Sequence, residues 1–359
     1  MFELPEPYRF VRDAASKPGW WPSSPDDPRR ALAWAVGSPQ EGVGFAGEDG
    51  GPAVWLRLLS ADSAVPRMNV VDVCSGVRRG VPQDEDVLAA ARAMCGRQAV
   101  VAANGYVSPL LGKGNSAPLL DAIATAARAD GAVPAVLHCP AGDPLLDVVP
   151  DLGFEVGVTD LYASISLAGN DVEDFLATLP SRRRTRIRRE MRALDGARVL
   201  SGVDAEPWLD TAAELVAAAY EARGQSIEAA SVAAIYRRLL AGFGDEFSLA
   251  VVEAEGTPVA TTCLLAAGRT LMSYSAGFRL PQSKAVAGYF NATYYLPLRH
   301  AYATGRRRLL LGPGTIEAKH LRGARFTPLY SAVPRDCPPL VALLRRTDRW
   351  LRDRLAELA

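Results

Sequence analysis

Lysine is almost missing from this chain. Of its 40 basic residues only Lys17, Lys113, Lys284 and Lys319 are lysine, the remainder being arginine. Against them stand 40 Asp and Glu, so the formal net charge is zero and no global field draws the protein to nucleic acid or anionic lipid. A polyanionic partner must therefore be held by a local basic patch. Histidines number three and cysteines five (Cys74, Cys95, Cys139, Cys263, Cys337), with no CxxC spacing. That excludes a disulfide scaffold and a structural zinc site and points to reduced thiols. No Ser-His-Asp or Cys-His order makes a convincing nucleophile constellation, and no metal is needed. No uncharged run reaches the roughly 18 to 20 residues that span a bilayer; VLAAARAMCGRQAVVAANGYV is cut by Arg92 and Arg97. The opening MFELPEPYRFVRDAASKPGWW lacks the basic start and apolar core of a signal peptide. The expectation is a cytoplasmic protein with no membrane insertion.

What is present is an ordinary globular balance: 359 residues, 49% hydrophobic, with a mean hydropathy of +0.03. That length favours two domains. Residues 1 to 50 are punctuated by PGWWPSSPDDP and GEDGG. Regular structure starts at AVWLRLL, a strand, followed by the helix DEDVLAAARAMCG and the buried strand QAVVAAN. The loop SPLLGKGNS, with Lys113 among glycines, matches no phosphate-loop spacing and reads as surface. After it come the helix APLLDAIATAARADG, the strand AVPAVLHCP and a strand pair around FEVGV and YASISLA. His138 and His300 read as satisfied structural histidines.

Beyond Gly169 the pattern turns helical. DVEDFLATL places Val172, Phe175, Leu176 and Leu179 on one face, capped by Asn170 or Asp171. After Pro180, SRRRTRIRREMRAL carries Ile187, Met191 and Leu194 on one face and arginines on the rest. Two further helices lead to FSLAVVEAEGTPVATTCLLAAGRTLMSYSAGF, three strands joined by tight turns at Glu255-Gly256 and Gly268-Arg269. A helix over Ala287–Thr304, the strand RRLLLG, the loop PGTIEAKHLRG, the strand FTPLYSAV and an amphipathic helix complete the chain. The composition of elements is α+β, that is, mixed α/β.

Three stretches, DFLATLPSRRRTRIRREMRAL, GYFNATYYLPLRHAYATG and EAKHLRGARFTPLYS, resemble in order and spacing the GNAT superfamily of N-acyltransferases. More specifically they resemble its tandem branch, the FemAB-like peptidoglycan bridge aminoacyltransferases and their relatives. The resemblance spans about residues 145 to 335, and the first half looks like the partner domain. It implies two GNAT-like domains in tandem, 1–169 and 170–359, each a twisted, mostly antiparallel sheet flanked by helices. It also implies an enzyme that forms an amide by direct transfer to an amine. FemAB-like enzymes take the group from aminoacyl-tRNA, whereas ordinary GNAT enzymes use acyl-coenzyme A held by a Q/R-x-x-G-x-G/A turn. Arg279–Gly288, where that turn belongs, has the wrong spacing.

The resemblance places the lysine of the FemAB-like F-K motif on Lys319, although Ala318 replaces the aromatic residue. An ammonium there suits a developing oxyanion, and Glu317 suits a base for the incoming amine. Tyr274, Ser273 and Ser275 are expected on the strand that lines the acyl gap. Tyr289, Asn291, His320 and Arg322 are candidates for contacting substrate. Arg182, Arg183, Arg186 and Arg189 are the candidate polyanion contacts. No tightly bound cofactor is expected. The co-substrate expected first is aminoacyl-tRNA, with acetyl-CoA or another acyl-CoA as the alternative. The expected acceptor is a small-molecule or peptide amine, and DNA is not expected as a partner. A third reading is a non-catalytic ligand-recognition module.

Overall fold

The computed structural model describes residues 3–11, 43–48, 51–60, 67–103, 106–112, 114–192, 197–280, 283 and 287–358. Lys113, Lys284 and most of the first 50 residues lie outside them. The chain forms two compact units: the described residues up to Tyr162 and those from Phe326 onward belong to the first, and those within Ala163–Arg325 to the second. This division differs from a cut at 169/170, because the last strand and the last helix group with the first unit.

Unit 1 contains β1 (Arg9–Val11), β2 (Val43–Gly47), β3 (Ala53–Ser60), α1 (Val70–Ser75), α2 (Glu85–Met94), β4 (Arg97–Val101), β5 (Leu110–Leu111), α3 (Ala117–Ala129), β6 (Val133–Pro140), α4 (Leu145–Val148) and most of β7 (Phe154–Ser166). β13 (Arg325–Pro334) and α12 (Pro338–Leu358) join it from the end of the chain. Its strands run in the order β1-β2-β3-β4-β6-β13-β7, antiparallel from β1 to β4, with β4 parallel to β6 and β6 antiparallel to β13.

Alternation explains why these strands read as continuous apolar runs. Ala99, Val101 and Val136 pack with Leu119 and Ile123 of α3, while Val100, Ala135 and Leu137 pack with Leu88 of α2 and Leu340, Leu343 and Leu344 of α12. Each such leucine stabilises the unit by about 1.5–3 kcal/mol through burial. Local signals agree with the packing. Asp84 caps α2 by accepting from Val87 N–H, and Asn69 caps α1 by accepting from Val71 and Asp72 N–H. The strand pair expected over 154–168 is one strand of 13 residues. Within it, α12 approaches so closely that a Cβ on Gly157 would lie 3.0 Å from the Leu344 side chain.

Unit 2 contains α5 (Val172–Ala177), α6 (Ser181–Met191), β8 (Ala197–Ser201), α7 (Leu209–Glu221), α8 (Ala229–Phe243), β9 (Phe247–Ala254), β10 (Thr257–Ala267), β11 (Thr270–Phe278), α9 (Gly288–Phe290), a π-helical turn (Asn291–Tyr295), α10 (Leu296–Ala303), β12 (Arg308–Pro313) and α11 (Ile316–His320). The sheet order is β12-β11-β10-β9-β8. Both expected two-residue turns form, and Glu255 and Gly256 take positive φ as a twist-matched hairpin requires. Asp171 is the cap of α5, accepting from Asp174 N–H. The loop expected after β12 holds the short helix α11.

Helix α7 packs so closely on β11 that a Cβ on Gly277 would meet Val216 N at 2.3 Å and the Leu215 carbonyl carbon at 2.4 Å. Both obstacles are backbone. Gly277→Ala is therefore expected to destabilise the protein by about 1–3 kcal/mol through overpacking. A urea midpoint equal to the parent's would show that α7 can move away.

Candidate active site

The feature that organises unit 2 is a parting of two strands. β11 runs antiparallel to β10 along its whole length, yet pairs in parallel with β12 only at Thr270↔Arg308, Leu271↔Leu309 and Met272↔Leu310. Beyond Met272, β11 continues to Phe278 and β12 to Pro313, with no further register between them among the described residues. A wedge opens between two strands whose backbone groups are not consumed by a ladder on that side. Such groups are obligatory hydrogen-bonding partners and are available to a ligand.

β11 is bulged at the mouth of this wedge. Cys263 faces Ser275 and Leu264 faces Ser273, which leaves Tyr274 as the extra residue. A bulge re-aims a side chain and interrupts regular pairing. Ser273 Oγ is buried without a hydrogen-bond partner, whereas Ser275 Oγ is 2.6 Å from the buried Tyr236 hydroxyl. The three residues expected on the gap strand are thus brought to one place, with distinct tasks: Ser275 is tied to α8, and Ser273 and Tyr274 sit where the strands separate.

Backbone strain gathers around the same element. Ala287, before α9, and Thr315, before α11, both adopt left-handed φ of 47° without being glycine. Between them lies the π-helical turn Asn291–Tyr295. Such departures cost free energy and persist where the surroundings impose them. Tyr289 packs edge-on against Phe278 at the end of β11, 5.2 Å between ring centres, and against Phe290 and Tyr294.

Three expected substrate contacts have other duties. Arg322 is buried, with its guanidinium 3.6 Å from the centre of the Phe290 ring. It donates to Glu190 Oε2 at 2.6 Å, to the Tyr295 hydroxyl at 2.9 Å and to the Ala318 carbonyl at 2.9 Å. Tyr295 also donates to Glu190 Oε2. Asn291 is fully buried and donates to the Glu190 carbonyl at 3.1 Å. Burial pushes the Glu190 carboxyl up, but the hydrogen bonds from Tyr295 and Arg186 and the charge of Arg322 outweigh it and hold the carboxyl below its usual range. His320 receives Arg183: the guanidinium lies 3.1 Å from Nε2 and 3.3 Å from the carbonyl oxygen.

Lys319 is buried, and its ammonium donates to the carbonyls of Gly312 (2.7 Å) and Pro313 (2.9 Å). It closes the turn at the end of β12, one edge of the wedge. Glu317, in the first turn of α11, is exposed. Among the arginines of α6, Arg183 is held by His320, Arg184 by the Leu179 carbonyl, Arg186 by Glu190 and Arg188 by Glu173. Arg182 and Arg189 project into solvent. Sequence reasoning missed Glu190 and Tyr295, which fix the wall of the site. The available signal was Glu190 itself, the one acid among the arginines of α6 and four residues after Arg186.

The family model described as "Acetyltransferase (GNAT) domain" matches residues 181–320. A comparison with curated protein sequences yields no match. Among solved structures, FemX is similar with a TM-score of 0.53 at 12% identity, over 86% of this chain and 92% of that one. The C-terminal domain (DUF2156) of a putative lysylphosphatidylglycerol synthetase from Agrobacterium fabrum gives 0.51 at 14% identity, over 77% of this chain and 95% of that one. Those likenesses carry the fold. No helix among the described residues is long and apolar enough to cross a membrane. The stretch that matches the GNAT acetyltransferase domain, residues 181–320, holds the parted strands, the bulge and the strained turns, so the likeness falls on the candidate site itself.

Proposed function

We propose that this protein forms an amide by passing an aminoacyl group from aminoacyl-tRNA to the amine of a small molecule or peptide. The observation that carries the reading is the wedge beyond Met272 and Leu310, with Tyr274 bulged at its mouth. An acyl carbonyl seated there meets backbone N–H groups of β11 outside the ladder, which stabilise the oxyanion as it develops. The acceptor nitrogen, deprotonated, attacks the ester carbon; the C–N bond forms, the C–O bond to the ribose breaks, and a proton passes to the leaving ribose oxygen. In this reading Tyr274 supplies that proton, and the exposed carboxylate Glu317 takes one from the incoming amine.

The donor assignment rests on the FemAB-like resemblance and on α6. That helix is fixed to α11 through Arg183 and His320, and it turns Arg182 and Arg189 outward, in reach of a phosphate backbone. The test is transfer of radiolabelled amino acid from a charged tRNA pool to a pool of amines, run beside acetyl-CoA. Acetyl transfer alone assigns the protein to coenzyme A chemistry; no transfer from either donor favours a ligand-recognition module. Arg182→Glu with Arg189→Glu is expected to weaken charged-tRNA binding and to lower the salt slope by about 1 for each phosphate that is no longer neutralised. An unchanged slope removes α6 from the tRNA site.

A further inference from the structure

From Ser273 to Phe278, β11 has β10 as its one strand neighbour among the described residues, because its register with β12 ends at Met272. The bulge falls within that stretch. Ser273 is matched to Leu264 and Ser275 to Cys263, so the ladder fixes the strand on either side of Tyr274 but not at it. A strand that is bulged and paired on one side has fewer hydrogen bonds to hold its backbone in place. The wedge needs that backbone to stay where it is.

Two contacts from the helices hold it. Ser275 and Gly277 are two residues apart and share one face of β11. At Gly277 the restraint is backbone, since a Cβ there would meet Val216 N of α7 at 2.3 Å. At Ser275 it is a side chain of α8, the Tyr236 hydroxyl, 2.6 Å from Oγ.

Tyr236 is fully buried, and its ring lies edge-on to Phe247 with 6.4 Å between centres. Phenylalanine would bury the same ring without a polar atom, whereas a buried hydroxyl costs free energy unless it is hydrogen-bonded. Ser275 Oγ is the hydrogen-bond partner of that hydroxyl among the described residues. Were the serine the donor, the Tyr236 O–H would be buried without an acceptor, so the phenol donates and Ser275 Oγ accepts. Burial pushes the phenol well above its ordinary range, and the proton stays on it. The bond therefore runs from the core to the residue that follows the bulge.

We propose that Tyr236 is a positioning residue of the acyl site, whose hydroxyl pins Ser275 and so fixes the bulge at Tyr274 and the backbone of β11 along the wedge. It touches no reacting group and acts through β11. The proposal rests on the transferase reading of the wedge, and on neither donor in particular.

The test compares the full-length parent with Tyr236→Phe, Ser275→Ala and the double variant. Three quantities are read: the urea midpoint, amide hydrogen exchange along β11, and kcat with KM for transfer from charged tRNA and from acetyl-CoA. In Tyr236→Phe, exchange is expected to rise at Ser273–Ala276 and to stay at the parent's rate in the middle of β9. Its kcat is expected to fall roughly 10-fold at an unchanged KM, less than the ~100-fold that a displacement of a full ångström costs. Ser275→Ala is expected to lower the midpoint as well, because the buried phenol then lacks its acceptor. The double variant removes both partners, so its midpoint is expected to recover while its kcat stays as low as that of Tyr236→Phe. A kcat that recovers together with the midpoint makes the bond merely structural and overturns the proposal. Unchanged exchange at Ser273–Ala276, or a local rise with kcat unaffected, overturns it too. A parent that transfers from neither donor removes the transferase reading instead, and exchange alone then decides whether Tyr236 pins the bulge.

Discussion

Replacing Arg322 by Met is expected to cost about 3–5 kcal/mol of stability, the range for breaking a buried ion pair from one side. The guanidinium serves Glu190, the Tyr295 hydroxyl and the Ala318 carbonyl from a nearly inaccessible position. Met restores the apolar packing on Phe290 but leaves the Glu190 carboxylate without its principal counter-charge. The double variant Glu190→Leu with Arg322→Met is expected to recover a large part of the loss, because the uncompensated charge is then gone. Urea midpoints of the two singles and the double close the cycle. A double no better than Arg322→Met would mean that packing, not charge, makes up the loss.

The same pair has a pH signature. The folded Glu190 carboxyl titrates below its unfolded value of about 4.3. Its contribution is therefore fully present above that unfolded value and is lost as pH falls through the folded one. The stability gap between the parent and Glu190→Gln is expected to be widest near neutrality and to close below about pH 4. A gap that widens on acidification would contradict the assignment of a charged carboxylate.

Element types were readable wherever local physics decides them. The cap at Asp171, the two hairpin turns and the apolar stripe of α12 are all set within a few residues, and all formed as expected. What was not readable depends on partners far along the chain. β13 finds β6 across nearly two hundred positions of sequence, as the His138 N–H bond to Ser331 marks, which draws the last strand and helix into unit 1. The short strand β8 carries no strong periodicity and exists because β9 pairs with it. Residues for the candidate site were legible as types more than as roles. Ser273, Tyr274 and Ser275 do meet at the parted strands, but the bulge that singles out Tyr274 is a register effect. Arg322 and Asn291 look like substrate contacts until Glu190 is seen to claim both.

Lys319→Met is the sharpest test of the site. The family resemblance assigns this ammonium to charge near the reacting ester, whereas in the structure it donates to the carbonyls of Gly312 and Pro313. Met preserves the length and apolar stem of the side chain and removes only the donors. As an anchor, the ammonium leaves the buried Gly312 acceptor and the half-buried Pro313 acceptor poorly satisfied when it is removed, at about 1–3 kcal/mol each. A fall in Tm of roughly 5–15 °C is then expected for a unit of this size. Turnover is expected to fall by about 100-fold as the end of β12 shifts by a fraction of an ångström to one ångström. A charge maintained for catalysis behaves differently, since such groups typically cost stability and their removal leaves Tm unchanged or raises it. Turnover that collapses at an unchanged Tm would show that the ammonium serves the reacting groups directly. A parallel loss of Tm and turnover would show that it acts by holding the wedge open at the end of β12.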